Sequence, residues 1–233
     1  MSQLQGWLRG ALWDVVPRDH RESDRDLRRR QLVTLAVVVL GAVVLGFSLR
    51  LDPGSRWFYA TTLGLAGLWT GGAFASGSLH LGRIPVGRGT SRPVAAPIVL
   101  GLLLAGIFVA GAFLVRTLDF LDGLEGHVVN IIDFADQGST PLLVLVTAVN
   151  GIAEELFFRG AAYAAIPTRP VLWTTAAYVA VTAASGNVML TFAALLLSVL
   201  VGLERRASGG ILGPILTHCT WSLTMLIALP LVF

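Results

Sequence analysis

Long apolar runs separated by short polar breaks dominate the chain. Seven of them are candidate membrane spans: Leu32–Leu49, Trp57–Gly77, Val94–Val115, Pro141–Ile166, Val171–Ser185, Val188–Leu203 and Ile211–Val232. Runs of roughly 17–25 apolar residues match the hydrocarbon thickness of a bilayer. The fifth and sixth are short and are parted only by Gly186 and Asn187, so they are expected to be tilted or partly buried in the bundle. Ahead of the spans, Leu4, Trp7, Leu8, Ala11, Leu12 and Val15 recur at helical spacing up to Pro17. That predicts a short amphipathic helix lying on the membrane surface. Arg18 to Arg30 reads as a charged linker. Between the third and fourth spans, Leu118, Leu121, Leu124, Val128 and Ile131 predict a second interfacial helix, set among Asp119, Asp122, Glu125, Asp133 and Asp136. The expected fold is therefore all-α: a polytopic transmembrane bundle of about seven spans plus interfacial helices.

Composition excludes the soluble alternative. Hydrophobic residues make up 55% of the 233, charged residues only 13%, and mean hydropathy is +0.74; a soluble domain of this size needs more polar surface to cover its core. All 17 basic residues are arginine, a bias expected of a bacterial genome rich in GC. A pI near 9.7 does not call for nucleic acid here, because basic residues also anchor cytoplasmic loops and meet anionic headgroups. The first long apolar run begins after Arg30, so no cleavable signal is expected at the start. The single Cys219 allows no intramolecular disulfide. No internal repeat is visible.

Arginine placement predicts an orientation. With the N-terminus cytoplasmic, inside segments hold the Arg18–Arg30 cluster, then Arg83, Arg88 and Arg92, then Arg169, then Arg205 and Arg206. Outside segments hold only Arg50, Arg56 and Arg116, with the acidic stretch also outside. The expected location is the inner (plasma) membrane of a bacterial cell, with the lipid bilayer as the first partner.

Chemistry concentrates in Asn150-Gly151-Ile152-Ala153-Glu154-Glu155-Leu156-Phe157-Phe158-Arg159-Gly160. Three ionisable residues inside an apolar helix each cost roughly 2.5–3.5 kcal/mol at the bilayer centre on insertion scales, so they line a cavity or pair with one another. Glu155 and Arg159 are four apart and share a face, as an ion pair requires. Glu154 points about 100° away, on the face of Asn150. One carboxylate would be held by arginine while the other meets a wet cavity, where it would take a proton from water. A plain buried ion pair explains Glu155 and Arg159 but leaves Glu154 without a role. On the last span, Pro214 is expected to kink the helix, with His218 one turn later and Ser222 a further turn on, along one face. His80 and His127 read as solvated. Gly64, Gly67, Gly71 and Gly72 would let helices approach closely, and Trp57, Trp69, Trp173 and Trp221 read as interface anchors or packing.

These two motifs resemble the CAAX prenyl endopeptidase and bacteriocin-processing (CPBP, or Abi) family of intramembrane glutamic proteases. The family's first motif is two glutamates, three residues and an arginine, usually followed by glycine: here Glu154, Glu155, Arg159 and Gly160. Its last motif is a histidine followed four residues later by asparagine or a relative, after a glycine-rich approach and a proline: here Gly210, Pro214, His218 and Ser222. The resemblance covers roughly Pro141 to Pro230. It implies an endopeptidase in which Glu154 acts as general base on water, Glu155 and Arg159 shape the site, and His218 polarises the peptide carbonyl or stabilises the oxyanion. It implies a peptide or membrane-protein substrate; no nucleic acid and no cofactor are expected, and with one plausible histidine left for a site that wants three protein ligands, no metal is expected either. It also implies an organisation of 1–30 as a cytoplasmic amphipathic and charged segment, 31–139 as N-terminal spans with the acidic loop, and 140–233 as the catalytic core.

The chain departs from the pattern twice. The family's middle histidine is missing, since no histidine lies between Arg159 and His218; Ser185, Gly186 or Asn187 occupies that neighbourhood. Ser222 replaces the usual asparagine. Ser222, Asn187 and Ser185 are therefore the expected auxiliary groups. Two rivals remain: a non-catalytic relative acting as a membrane scaffold or immunity-type protein, which the missing histidine favours, and a small transporter, since intramembrane carboxylates also mark ion pathways. No paired broken helices support transport.

Overall fold

The computed structural model describes residues 3–17, 20, 22–48, 51, 55–87, 89–118, 123–124, 126–129 and 140–232. Eight helices organise them: α1 (Gln3–Leu12), α2 (Asp24–Ser48), α3 (Arg56–Ser76), α4 (Ala95–Thr117), α5 (Thr140–Ala165), α6 (Pro170–Ala183), α7 (Val188–Ser208) and α8 (Leu212–Ala228). A two-stranded antiparallel hairpin, β1 (Ile84–Val86) and β2 (Gly89–Ser91), is the one strand pair among the described residues. The molecule is an all-α polytopic bundle. Among the described residues, five segments are long and apolar enough to cross a membrane: α2, α4, α5, α7 and α8 with its short extension to Leu231. Helix α3 has the length, but Thr61, Thr62, Thr70 and four glycines make it more polar. Helix α6 is apolar but shorter. Outward faces are correspondingly greasy, with Leu35, Val39 and Val43 exposed on α2 and Leu103, Ile107 and Phe113 on α4. Backbone polar groups are satisfied inside each helix, as a bilayer demands.

Several expected boundaries shift. Helix α2 begins inside the segment read as a charged linker, because Ser23 caps it: Asp26 N donates to Ser23 Oγ (3.2 Å), and that hydroxyl donates to Asp26 Oδ2 (2.7 Å). Ser23 is a serine N-cap with its hydroxyl also tied to Asp26, legible in Ser23-Asp24-Arg25-Asp26. Helix α1 does form, and its apolar face docks on the bundle: Ala11 and Leu12 are buried with Ala96 and Leu100, flanked by Trp7, Leu8, Leu200 and Leu203. Pro214 does not kink α8. It is the third residue of that helix, in the first turn, whose backbone N–H groups have no intrahelical partner to lose. The glycine expectation holds only in part. A Cβ at Gly72 would meet Val37 at 2.6 Å, so α2 and α3 do touch there, whereas Gly64, Gly67 and Gly71 face open space. Of the second interfacial helix, 123–124 and 126–129 are helical and Val128 is buried; Leu121, Ile131 and the five acidic residues lie outside the described residues.

Helix ends sort onto two faces. On one face Arg30 donates to Ser76 Oγ (3.2 Å) and Ser78 O (3.2 Å), and pairs with Glu22. Gln31 donates to Ala165 O (3.1 Å). Ile211 N donates to His80 O (2.9 Å) and Arg83 N to Ser208 O (2.9 Å). This face gathers the start of α2, the end of α3, the hairpin, the end of α5, the end of α7 and the start of α8. The opposite face carries the end of α2, the start of α3 and the α6–α7 turn. Between them, Trp69 packs on Phe157 (ring centroids 4.5 Å) and Phe158 (5.5 Å) at the centre of the largest core cluster.

Candidate active site

Helix α5 widens just after its two glutamates, around Arg159. Leu156–Ala162 makes π turns, a distortion frequent at functional sites. Glu154 and Glu155 fall just before it, on different faces. Glu155 is fully buried, and its Oε1 accepts from Arg159 Nη1 (3.0 Å) and pairs with His218 Nδ1 (2.8 Å). The expected four-residue ion pair is present, and α8 joins it. Arg159, also fully buried, donates through Nη2 to Ser198 Oγ on α7 (2.6 Å), and Ser198 Oγ donates to Thr175 Oγ1 on α6 (3.1 Å). Arg205 Nε donates to the Arg159 carbonyl (2.6 Å). Four helices are thus tied to one guanidinium. Glu155 Oε2 and Arg159 Nε make no hydrogen bond, so the pair is held by single contacts, not a fork.

Glu154 points elsewhere, as the 100° turn predicts. It is partly exposed, and its Oε2 accepts from the Tyr178 hydroxyl on α6 at 2.5 Å. The Tyr178 ring connects three site groups: the Arg159 guanidinium lies 4.9 Å from its centroid, and the His218 ring stands edge-on to it at 6.5 Å. A cavity of about 530 Å³ opens against this cluster, within the range of about 300–1,000 Å³ usual for ligand sites. Glu154, Tyr178, His218, Asn150 and Ser222 all line it, as do Ser185 and Asn187.

His218 is buried, its Nδ1 is paired with Glu155, and its side chain lines the cavity. A Cβ on Gly151 would meet that ring at 3.6–3.7 Å, ordinary van der Waals contact, so α5 and α8 lie close together here. Glu154, Glu155, Arg159 and His218 are therefore brought together. The auxiliary residues are less free than expected. Asn187 caps α7, its Oδ1 accepting from Leu190 N (2.9 Å), while its Nδ2 donates to His127 O (2.8 Å). Ser185 Oγ accepts from Asn187 N (3.3 Å), and Ser222 Oγ donates to Cys219 O (3.4 Å). Cys219 turns its thiol toward Ala148 O on α5 (3.9 Å). Among the described residues, no group of three His, Cys, Asp or Glu side chains is arranged to hold a metal ion. His80 is half-buried and stacks on His20, with centroids 3.7 Å apart.

Sequence reasoning missed Tyr178, Ser198, Thr175 and Arg205. The signal was available: a hydroxyl inside an apolar span faces the bundle interior, and Thr175, Tyr178 and Thr182 recur at helical spacing along α6.

Residues 136–224 match the family model described as type II CAAX prenyl endopeptidase Rce1-like. The match spans both motifs and every site residue named above, and makes this part of the chain similar to CAAX-type membrane proteases. No curated protein and no solved structure matches the chain.

Proposed function

We propose that this chain, whose residues 136–224 form an Rce1-like domain, is an intramembrane endopeptidase that hydrolyses peptide bonds with a glutamate-activated water. Its setting is a bacterial plasma membrane with the arginine-rich face cytoplasmic. The observation that carries the reading is the shared cavity: Glu154 and His218 line one wall, while Glu155 and Arg159 stand behind it, out of reach of solvent.

Each group has a role that its bonds suit. Tyr178 holds Glu154 Oε2, which orients the carboxylate and leaves Oε1 for water. Glu154 takes a proton as the water oxygen bonds to the peptide carbonyl carbon. His218, its ring held at Nδ1 by Glu155, is placed to stabilise the developing oxyanion. Collapse breaks the C–N bond, and Glu154 returns its proton to the leaving amine. Glu155 is a positioning residue, fixed by Arg159. No step uses a metal or cofactor. Asn187 supports the cavity wall as a helix cap; Ser222 and Ser185 are hydroxyls available to a bound peptide.

The missing middle histidine favours a second reading, a non-catalytic relative that binds apolar segments in the same cavity. One experiment separates the two. Purified protein in proteoliposomes is incubated with a library of apolar peptides, alongside Glu154→Gln, His218→Ala and Tyr178→Phe. The protease reading expects cleavage by the wild type and none by Glu154→Gln. It expects a fall of about 10²–10³-fold for His218→Ala, the usual loss for one oxyanion donor, and a smaller fall for Tyr178→Phe. Peptide binding without cleavage by the wild type supports the scaffold.

A further inference from the structure

We infer that the cavity is served from the extracytoplasmic side of the membrane, and that it takes an uncharged, apolar stretch of an exported or membrane-anchored polypeptide. The substrate class rests on the protease reading above; the side of entry does not.

The geometry gives the direction. The cavity runs from Glu154 and His218 to Ser48 at the end of α2, Phe58 and Thr62 at the start of α3, and Ser185 at the α6–α7 turn. All these helix ends lie on the face opposite Arg30, Arg83, Arg92, Arg169 and Arg205. On the arginine side the path is closed. Phe157, Phe158, Ala161 and Arg159 are almost wholly buried one to two turns past Glu154, and Trp69 packs across them. Further along, Arg205 is bonded to the Arg159 carbonyl and stacks on Tyr163 (4.8 Å). A peptide coming from that side would have to break this network. Clusters of arginine mark the cytoplasmic side of a membrane protein, so the mouth faces outward.

The walls give the class. The lining is mostly apolar, with Leu45, Leu65, Val181 and Leu190 beside Trp69 and Trp221. Polar groups stand at the deep end, and hydroxyls (Ser48, Thr62, Ser185) stand at the mouth. Arg159 is sealed behind Glu155, and among the described residues no arginine lines the cavity to receive a terminal carboxylate or an acidic side chain. An uncharged segment between flanking residues fits these walls, and its backbone would meet the hydroxyls.

Cysteine accessibility tests the direction without requiring catalysis. In a Cys219→Ala background, cysteines are placed at the mouth (Thr62→Cys), partway down (Thr147→Cys) and in the hairpin on the arginine face (Ser91→Cys). Intact cells are treated with a membrane-impermeant charged maleimide, then compared with permeabilised cells. The expected result is labelling of positions 62 and 147 in intact cells and of position 91 only after permeabilisation. Labelling of 91 in intact cells with 62 and 147 protected until permeabilisation would reverse the direction. Protection of 62 and 147 in both preparations, with 91 labelled, would show that no wet path exists. Glu154→Gln is carried in parallel: labelling unchanged while cleavage is absent separates the mouth from the chemistry. A second arm offers proteoliposomes an apolar peptide and the same peptide with a central aspartate. Equal protection of position 147 by both would overturn the substrate class.

Discussion

The two ends of the bundle solve opposite problems with the same kind of helix. At the arginine end, side chains are spent on closure. Arg30 is 1% exposed and bonded to three neighbours, Arg205 reaches the Arg159 carbonyl, and backbone groups of 80–83 bond directly to Ser208, Ile211 and Leu212. At the other end the helix termini diverge around a cavity, held by slighter devices such as the Asn187 cap and a Ser48–Thr61 contact of 3.0 Å. The carboxylates divide in the same way. Glu155 belongs to the closed end and is immobilised; Glu154, the next residue, belongs to the open end and keeps one oxygen free. Rigidity on one side is what permits an open, water-accessible carboxylate on the other.

The largest expected effect comes from breaking the closed end at its centre. Arg159→Ala leaves Glu155 buried beside His218 without its guanidinium, and removes the partner of Ser198. Losing one member of a buried pair costs about 3–5 kcal/mol. Thermal unfolding in detergent should show a large loss for Arg159→Ala, partly restored in Glu155→Gln/Arg159→Gln. An unchanged melting curve for the single variant would mean that the guanidinium does not hold the four helices together.

Much of this contrast was legible in the chain, and the illegible part has a physical cause. Glu154, Glu155 and Arg159 could be named because charge inside an apolar run is costly and must be answered, and His218 because it shares one face of the last span with Ser222 after Pro214. Their faces followed from the helical turn. The N-cap at Ser23 was equally available and was hidden by the arginines after it. What periodicity does not carry is partner choice across helices. Nothing local says that Tyr178 answers Glu154, or that Ser198 answers Arg159, because these pairs are 24 and 39 residues apart. Helix start points misled for a related reason: Pro214 looks like a breaker until the start at Leu212 places it in the first turn. Glycine was read too uniformly, as a marker of close packing wherever it clustered.

Glycine sharpens the comparison at an intermediate scale. A Cβ on Gly210 would lie 2.0 Å from Gly82 N and 2.1 Å from the Leu81 carbonyl carbon, both backbone atoms. Gly46, near the open end of α2, has nothing within 4 Å. Gly210→Ala must therefore push the 80–83 segment off α8, at a cost of about 1–3 kcal/mol or more, as overpacking generally does. Gly46→Ala should be neutral or stabilising by up to about 1 kcal/mol through helix propensity. Melting temperatures of the two variants in one detergent check this; equal losses would erase the difference in tightness between the ends.

The smallest expected effect is a pH response confined to the closed end. His80 lies outside the spans, on the segment that joins α3 to the hairpin, and its ring stacks on His20. Burial, then the nearby Arg205 and Arg30, hold its pKa below the ordinary 6.5, against a weaker opposing pull from Glu22. A histidine whose pKa is lower folded than unfolded binds fewer protons in the folded state. Its stabilising contribution is complete above about 6.5 and is lost as pH falls from there through the folded value. The ring is only half-buried, so solvent screens most of the charge–charge part, and the change should be modest. Unfolding followed from pH 7.5 down to 5.5 should show a small loss of stability in the wild type and a flatter profile in His80→Gln. Added salt should shrink the difference, since part of the shift comes from the two arginines. A pH slope identical in both proteins would mean that the His20–His80 stack contributes nothing to closing this end, and that the arginine and backbone bonds hold it alone.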